Sequence, residues 1–150
     1  MHVEIYADGA YRAKHKAGGW GVLLRWRGHE RELFGGERDT TNNRMELTAA
    51  IEGLKSLKRP MTVKLHSDSQ YVINGMNDWR HNWVLNNWFS HTTGDAVKNS
   101  DLWKVLIAES ARHEVEWIWV RGHNGHVDNE RADMLANKGA DSVMPPPEGA

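Results

Sequence analysis

The chain has 150 residues, no cysteine, and 19 Lys+Arg against 20 Asp+Glu, for a net charge near −1. This excludes a disulfide scaffold, thiol catalysis and cysteine-based zinc sites. It also excludes a broadly basic nucleic-acid-binding coat, although not a local basic patch. No run approaches the ~18 consecutive apolar residues of a membrane span, and the first ten residues lack the basic start, apolar stretch and small-residue site of a secretory signal. The expectation is a soluble cytoplasmic protein that works as a monomer. A domain of this size buries roughly 70% of its unfolded surface and needs no metal to fold.

The predicted elements follow in chain order. Val3, Ile5 and Ala7 alternate with His2, Glu4, Tyr6 and Asp8, the period of a strand that ends at Asp8. Residues 18–26 and 30–35 read as two further strands, with Arg27-Gly28-His29 as the turn between them. Leu47, Ile51 and Leu54 lie on one stripe of a helix over 44–58, capped by Asn42 or Asn43 and stopped by Pro60. A strand over 62–67 ends at Asp68, and a helix over 69–79 sets Val72, Met76 and Trp79 on one side. Residues 80–98 are polar and tryptophan-rich without a clean period. A helix over 101–113, a strand over 114–120 and a helix over 128–140, capped by Asp128, complete the domain. The order predicts an α/β fold: a five-stranded mixed sheet, three antiparallel strands and then two parallel additions, flanked by helices. Residues 1–141 make one domain, and the proline-rich end, 142–150, reads as a disordered tail.

Four acids fall where such a fold collects ligands. Asp8 and Asp68 close two strands, Glu46 lies in the first turn of the first long helix, and Asp133 lies near the start of the last. In open α/β sheets ligands gather at the carboxyl ends of strands. Carboxylates that converge repel one another unless hard cations sit between them, and an all-oxygen set favours Mg²⁺ or Mn²⁺. Two such ions about 4 Å apart can clamp a phosphodiester and stabilise its attacking and leaving oxygens. The plainer reading of any one of these acids is a solvated surface group or a helix N-terminal acid.

The neighbours of these acids decide between the readings. They are Asp8-Gly9, Thr41-Asn42-Asn43-Arg44-Met45-Glu46, Ser67-Asp68-Ser69-Gln70-Tyr71, the run from Trp119 to His126, and Asn129-Glu130-Arg131-Ala132-Asp133. In this order, over about residues 2–141, they resemble type 1 ribonuclease H. The resemblance implies an endonuclease that cuts the RNA strand of RNA–DNA hybrids with two metal ions, leaving 5′-phosphate and 3′-hydroxyl ends. It implies Asp8, Glu46, Asp68 and Asp133 as metal-binding catalytic acids, and His123 as a loop histidine that assists proton movement or product release. A histidine titrates near neutrality and can shuttle a proton that a metal-bound carboxylate cannot. His123 and His126 are also spaced as a zinc pair, but no third ligand stands at the usual spacing.

Asn42, Asn43 and Gln70 match positions that contact the hybrid's minor groove, where amides suit 2′-hydroxyls and base edges; Asn42 and Asn43 also suit a helix cap. Thr41 matches a position that grips a DNA-strand phosphate, and Trp79 one that faces the DNA channel. Trp83, Trp88 and Trp103 read as core. Two segments depart from the family's pattern. The glycine-rich loop after the first acid is here residues 11–19, with Arg12, Lys14, His15 and Lys16 as phosphate contacts or as a solvated basic loop. The segment 80–98, basic in bacterial relatives, carries only Arg80 and Lys98 against Asp95. That predicts a shallower salt dependence of hybrid binding than in a basic-protrusion relative. A proofreading-type exonuclease would open with Asp-x-Glu, whereas this chain has Asp8-Gly9-Ala10; a non-catalytic binding module would have lost an acid, and all four are present.

Overall fold

A computed structural model describes residues 2–89, 93–121 and 126–145. Five strands form one sheet: β1 (Val3–Arg12), β2 (Ala17–Trp26), β3 (His29–Glu37), β4 (Thr62–Ser67) and β5 (Glu114–Trp119), in the order β3-β2-β1-β4-β5. β1, β2 and β3 pair antiparallel, and β4 and β5 add in parallel. This is the mixed sheet expected.

β1 alternates as predicted, with Val3, Ile5 and Ala7 fully buried. It does not stop at Asp8, however. Its parallel pairing with β4 ends at Ala7–Ser67, while its antiparallel pairing with β2 runs on to Arg12–Ala17. Asp8 therefore sits where β1 parts from β4, which opens a gap at the carboxyl end of both.

The first long helix, α1 (Asn42–Lys55), lies against β1 and β2 and buries Leu47, Ile51 and Leu54. Burying each such side chain contributes about 1.5–3 kcal/mol. Two expectations about its ends are corrected. The cap is Thr41, in extended conformation, whose hydroxyl accepts from the Arg44 amide at 3.2 Å. Asn42 and Asn43 are the first helical residues, so their side chains do not cap it. The helix also ends well before Pro60, because Leu57 N–H turns to Leu54 O at 3.2 Å and Ser56 Oγ donates to Gly53 O.

The helix expected over 69–79 is broken. Ser69 caps α2 (Gln70–Asn74), a π-helical turn follows at Gly75–Trp79, and α3 (Arg80–Leu85) continues beyond it. A Cβ on Gly75 would lie 2.1 Å from the Trp103 ring, so the helix widens where it passes that indole. Trp103 is fully buried, and Trp83 and Trp88 pack partly buried against the same core, as expected.

α4 (Ser100–Ala111) and α5 (Val127–Ser142) complete the set. Asp128 lies inside α5 rather than at its cap; its carboxylate accepts from Arg25 at 2.5 and 3.1 Å, a tertiary pairing that spacing cannot show. α5 covers β1, β2 and β3 at close range. A Cβ on Gly19 would fall 2.1 Å from the Ala140 amide, so glycine there allows backbone-to-backbone contact. α5 carries through Ser142, and the tail expectation for 146–150 lies outside the described residues. No described helix is long and apolar enough to cross a membrane.

Candidate active site

Three segments bring three carboxylates together. Asp8 comes from β1, Glu46 from α1 and Asp68 from the residue after β4, and one oxygen from each lies within 4.8 Å of the others. Asp133, from α5, joins Asp8, Gly9, Asn42, Glu46, Asp68 and Ser69 in lining a cleft of about 320 Å³. Glu46 is in the second turn of its helix and Asp133 is the seventh residue of α5, so neither acts as a helix N-terminal acid.

Local chemistry holds each group. On α1, Asn42 and Glu46 are four residues apart and share a face, which places both over the gap beyond Ala7. Glu46 Oε1 accepts from the Gly9 amide at 2.5 Å, and that amide also lies 2.9 Å from Asp8 Oδ1. A Cβ at position 9 would stand 2.7 Å from Glu46 Oε1 and 2.8 Å from its backbone nitrogen. Only glycine lets α1 come this close. Gly9 is thus a site residue that sequence reasoning passed over, although Asp-Gly was its visible signal. Asp68 is steadied from behind: Trp119 Nε1 donates to its carbonyl at 3.2 Å, and Ser67 Oγ accepts from the Ser69 amide at 3.1 Å.

The electrostatics are those of crowded like charges. Asp8 and Glu46 are only 3% and 5% exposed. Burial, followed by the charges of Glu46 and Asp68, pushes Asp8 far above the ordinary carboxylate range. Burial, followed by the charge of Asp68, also raises Glu46, against the opposing hydrogen bonds of Asp8 and Gly9. Glu46 Oε2 is buried with no hydrogen-bond partner. Such an oxygen is costly to leave unsatisfied. An all-oxygen donor set with a buried, unpartnered carboxylate oxygen fits a hard divalent cation.

The other expected site residues are placed as follows. Thr41, Asn42 and Asn43 are exposed at the start of α1, and Gln70 is exposed at the start of α2, two residues from Asp68. Trp79 is 40% exposed at the end of the π turn, its ring edge-on to Tyr71 at 6.3 Å. His123 lies outside the described residues, as do Gly122 and Gly125. His126 is exposed immediately before α5.

Comparison with known proteins points one way. The family model for RNase H matches residues 1–141. Ribonuclease HI of Neisseria meningitidis serogroup B is 61% identical over 138 residues, covering 92% of this chain and 94% of the relative. Ribonuclease H of Dechloromonas aromatica is 54% identical over 143 residues, covering 94% and 95%. Among solved structures, LC9-RNase H1, described as a type 1 RNase H with the type 2 active-site motif, superposes with a TM-score of 0.82 at 33% identity, covering 95% of this chain and 73% of that one.

Proposed function

Because the chain belongs to the ribonuclease H family of hydrolytic nucleases, we propose that it cuts the RNA strand of RNA–DNA hybrids internally, leaving 5′-phosphate and 3′-hydroxyl ends. The observation that carries this reading is the convergence of Asp8, Glu46 and Asp68, with one oxygen of the Glu46 carboxylate buried and unpartnered. Asp8, Glu46, Asp68 and Asp133 would hold two Mg²⁺ ions, with Mn²⁺ as a substitute. When bound, the ions supply Lewis-acid stabilisation of charge on the phosphodiester.

The chain's own groups do the rest. The Gly9 amide fixes the Glu46 carboxylate, so its free oxygen faces the cleft already oriented. Trp119 and Ser67 fix the turn that carries Asp68. His123 moves a proton between water and the leaving oxygen, or eases product away. Asn42, Asn43 and Gln70 read 2′-hydroxyls in the minor groove, since an amide offers both a donor and an acceptor. The Thr41 hydroxyl accepts from Arg44 N–H through its oxygen and keeps its own proton to donate to a phosphate. Trp79 offers an exposed ring to a sugar of the DNA strand. Residues 1–141 form the catalytic domain, and the protein works as a cytoplasmic monomer.

The test is a labelled RNA–DNA hybrid incubated with Mg²⁺, beside duplex RNA, duplex DNA and single-stranded RNA. Internal cuts confined to the hybrid's RNA strand, with 5′-phosphates removable by phosphatase, are the expected result. Binding without cutting, across several metals, would replace this reading with that of a hybrid-binding module.

A further inference from the structure

β1 and β2 form a hairpin whose end is basic. Between Asp8 and Glu30 the chain contains no acid. Arg12 is committed to Asp141 at 3.2 Å. Lys14, His15 and Lys16 are exposed at the tip, and neither lysine makes an ion pair among the described residues.

The tip is held in place rather than left loose. Ala13–His15 form a 3₁₀ turn, and Lys16 closes it in the left-handed region at φ 50°, donating to Ala13 O at 3.3 Å. The Lys16 carbonyl accepts from the Thr40 amide at 3.1 Å. Just behind the tip, a Cβ on Gly18 would lie 2.6 Å from Met45 Cγ and 2.9 Å from Thr40 Cγ2. Gly19 sits equally close to α5. The hairpin is clamped between the start of α1 and the end of α5.

This clamp sets the tip beside the cleft. Thr40 is two residues from Asn42, which lines it, and two Cα steps span at most about 8 Å. The segment 80–98 offers the opposite surface: two cationic side chains, one acid, and exposed Val84, Leu85 and Phe89.

We infer that the β1–β2 hairpin tip is a phosphate-binding arm: Lys14 and Lys16 take backbone phosphates of the nucleic-acid strand that passes the start of α1. The inference rests on the reading of the cleft as a nuclease site. Two unpaired ammonium groups on a clamped turn meet a polyanion with little ordering left to do, and each phosphate neutralised releases counterions.

The experiment is steady-state cleavage of a labelled hybrid with Mg²⁺ over a series of salt concentrations. Four proteins are compared: wild type, Lys14→Ala/Lys16→Asn, Lys14→Arg/Lys16→Arg, and Lys55→Ala/Lys58→Ala. The last removes the same charge from the exposed far end of α1 and the segment just after it. Asparagine is chosen at 16 because it tolerates positive φ. The tip variant is expected to raise KM several-fold at low salt with kcat held, and to flatten the slope of log(1/KM) against log[salt] by about 1.8, at about 0.9 per phosphate contact. The arginine pair should restore both, and the far-end variant should change neither. Equal slopes for wild type and the tip variant would overturn the inference while leaving the nuclease reading intact, as would an equal loss in the far-end variant. A wild type that cuts no hybrid would overturn both.

Discussion

Glu4 and Asp8 stand four residues apart on one face of β1, and their environments are opposite. At the Glu4 end, charge is neutralised locally. Its carboxylate meets His66 through one oxygen and His2 through the other, the latter at 2.8 Å, while the Tyr6 ring stacks on His66 at 4.5 Å. Burial alone would raise Glu4, but the hydrogen bonds and charges of the two histidines hold it below the ordinary range. At the Asp8 end the neighbours are Glu46, Asp68 and Asp133, and the shift is upward. One strand thus carries an acid neutralised by its own protein and an acid surrounded by other acids. The crowding of like charges marks the end proposed as the active site, and strand pairing creates it, because β4 leaves β1 at Ala7.

The largest effect expected from breaking this contrast is on activity. Asp68→Asn removes a charge from the cleft without changing its shape and should lower hybrid cleavage by at least about 100–1000-fold, the scale lost when a transition-state stabiliser goes. Single-turnover rates check it; a loss under tenfold would remove Asp68 from the mechanism.

The next effect is on stability, and its sign is unusual for a site residue. Asp8→Asn relieves repulsion with Glu46 and Asp68, so the metal-free protein should melt higher, by roughly 2–4 °C per kcal/mol relieved, while losing activity. A lower melting temperature in EDTA would contradict the crowding argument.

The two ends should also answer pH in opposite directions. The raised acids, Asp8 and Glu46, bind protons more tightly when folded than when unfolded. Their contribution is fully present below the unfolded carboxylate value near 4 and is lost as pH rises through the raised folded values. Glu4 is lowered, so its contribution is present above its unfolded value and is lost as pH falls through the folded one. Denaturant melts in EDTA from pH 4 to 9 should therefore show Asp8→Asn flattening the alkaline decline, and Glu4→Gln leaving that decline unchanged. Glu4→Gln itself is the smallest effect, below about 1 kcal/mol at neutral pH, since the cluster is partly exposed.

Much of this was legible beforehand, for identifiable reasons. Alternation marked β1 and helical spacing marked α1, because one-sided burial leaves a period in the sequence, while the other strands were read as short runs between turns, β2 being buried on both faces. The four acids were visible through the residues around them, since only Asp68 adjoins the end of an element while Asp8, Glu46 and Asp133 lie inside theirs. What stayed hidden depends on tertiary contact. Thr41 rather than Asn42 caps α1, a choice among three adjacent capping residues that only backbone geometry makes. Asp128 looked like a cap and is the partner of Arg25, which is 103 residues away. The π turn at Gly75 depends on Trp103, whose position no local pattern announces. Gly9 stood in the sequence only as the neighbour of Asp8, and it is the point where α1 touches β1.

The most direct test of the central claim, that the cleft is completed by a divalent cation, is the melting temperature of wild type and Asp8→Asn in EDTA and in millimolar Mg²⁺ at pH 8. A cation that binds only the folded state raises stability by RT ln(1 + [L]/Kd). The account predicts that Mg²⁺ lifts the wild type well above its EDTA value and lifts Asp8→Asn little, so the variant is the more stable without metal and loses that advantage with it. An equal Mg²⁺ shift in both proteins, or none in the wild type, would contradict it.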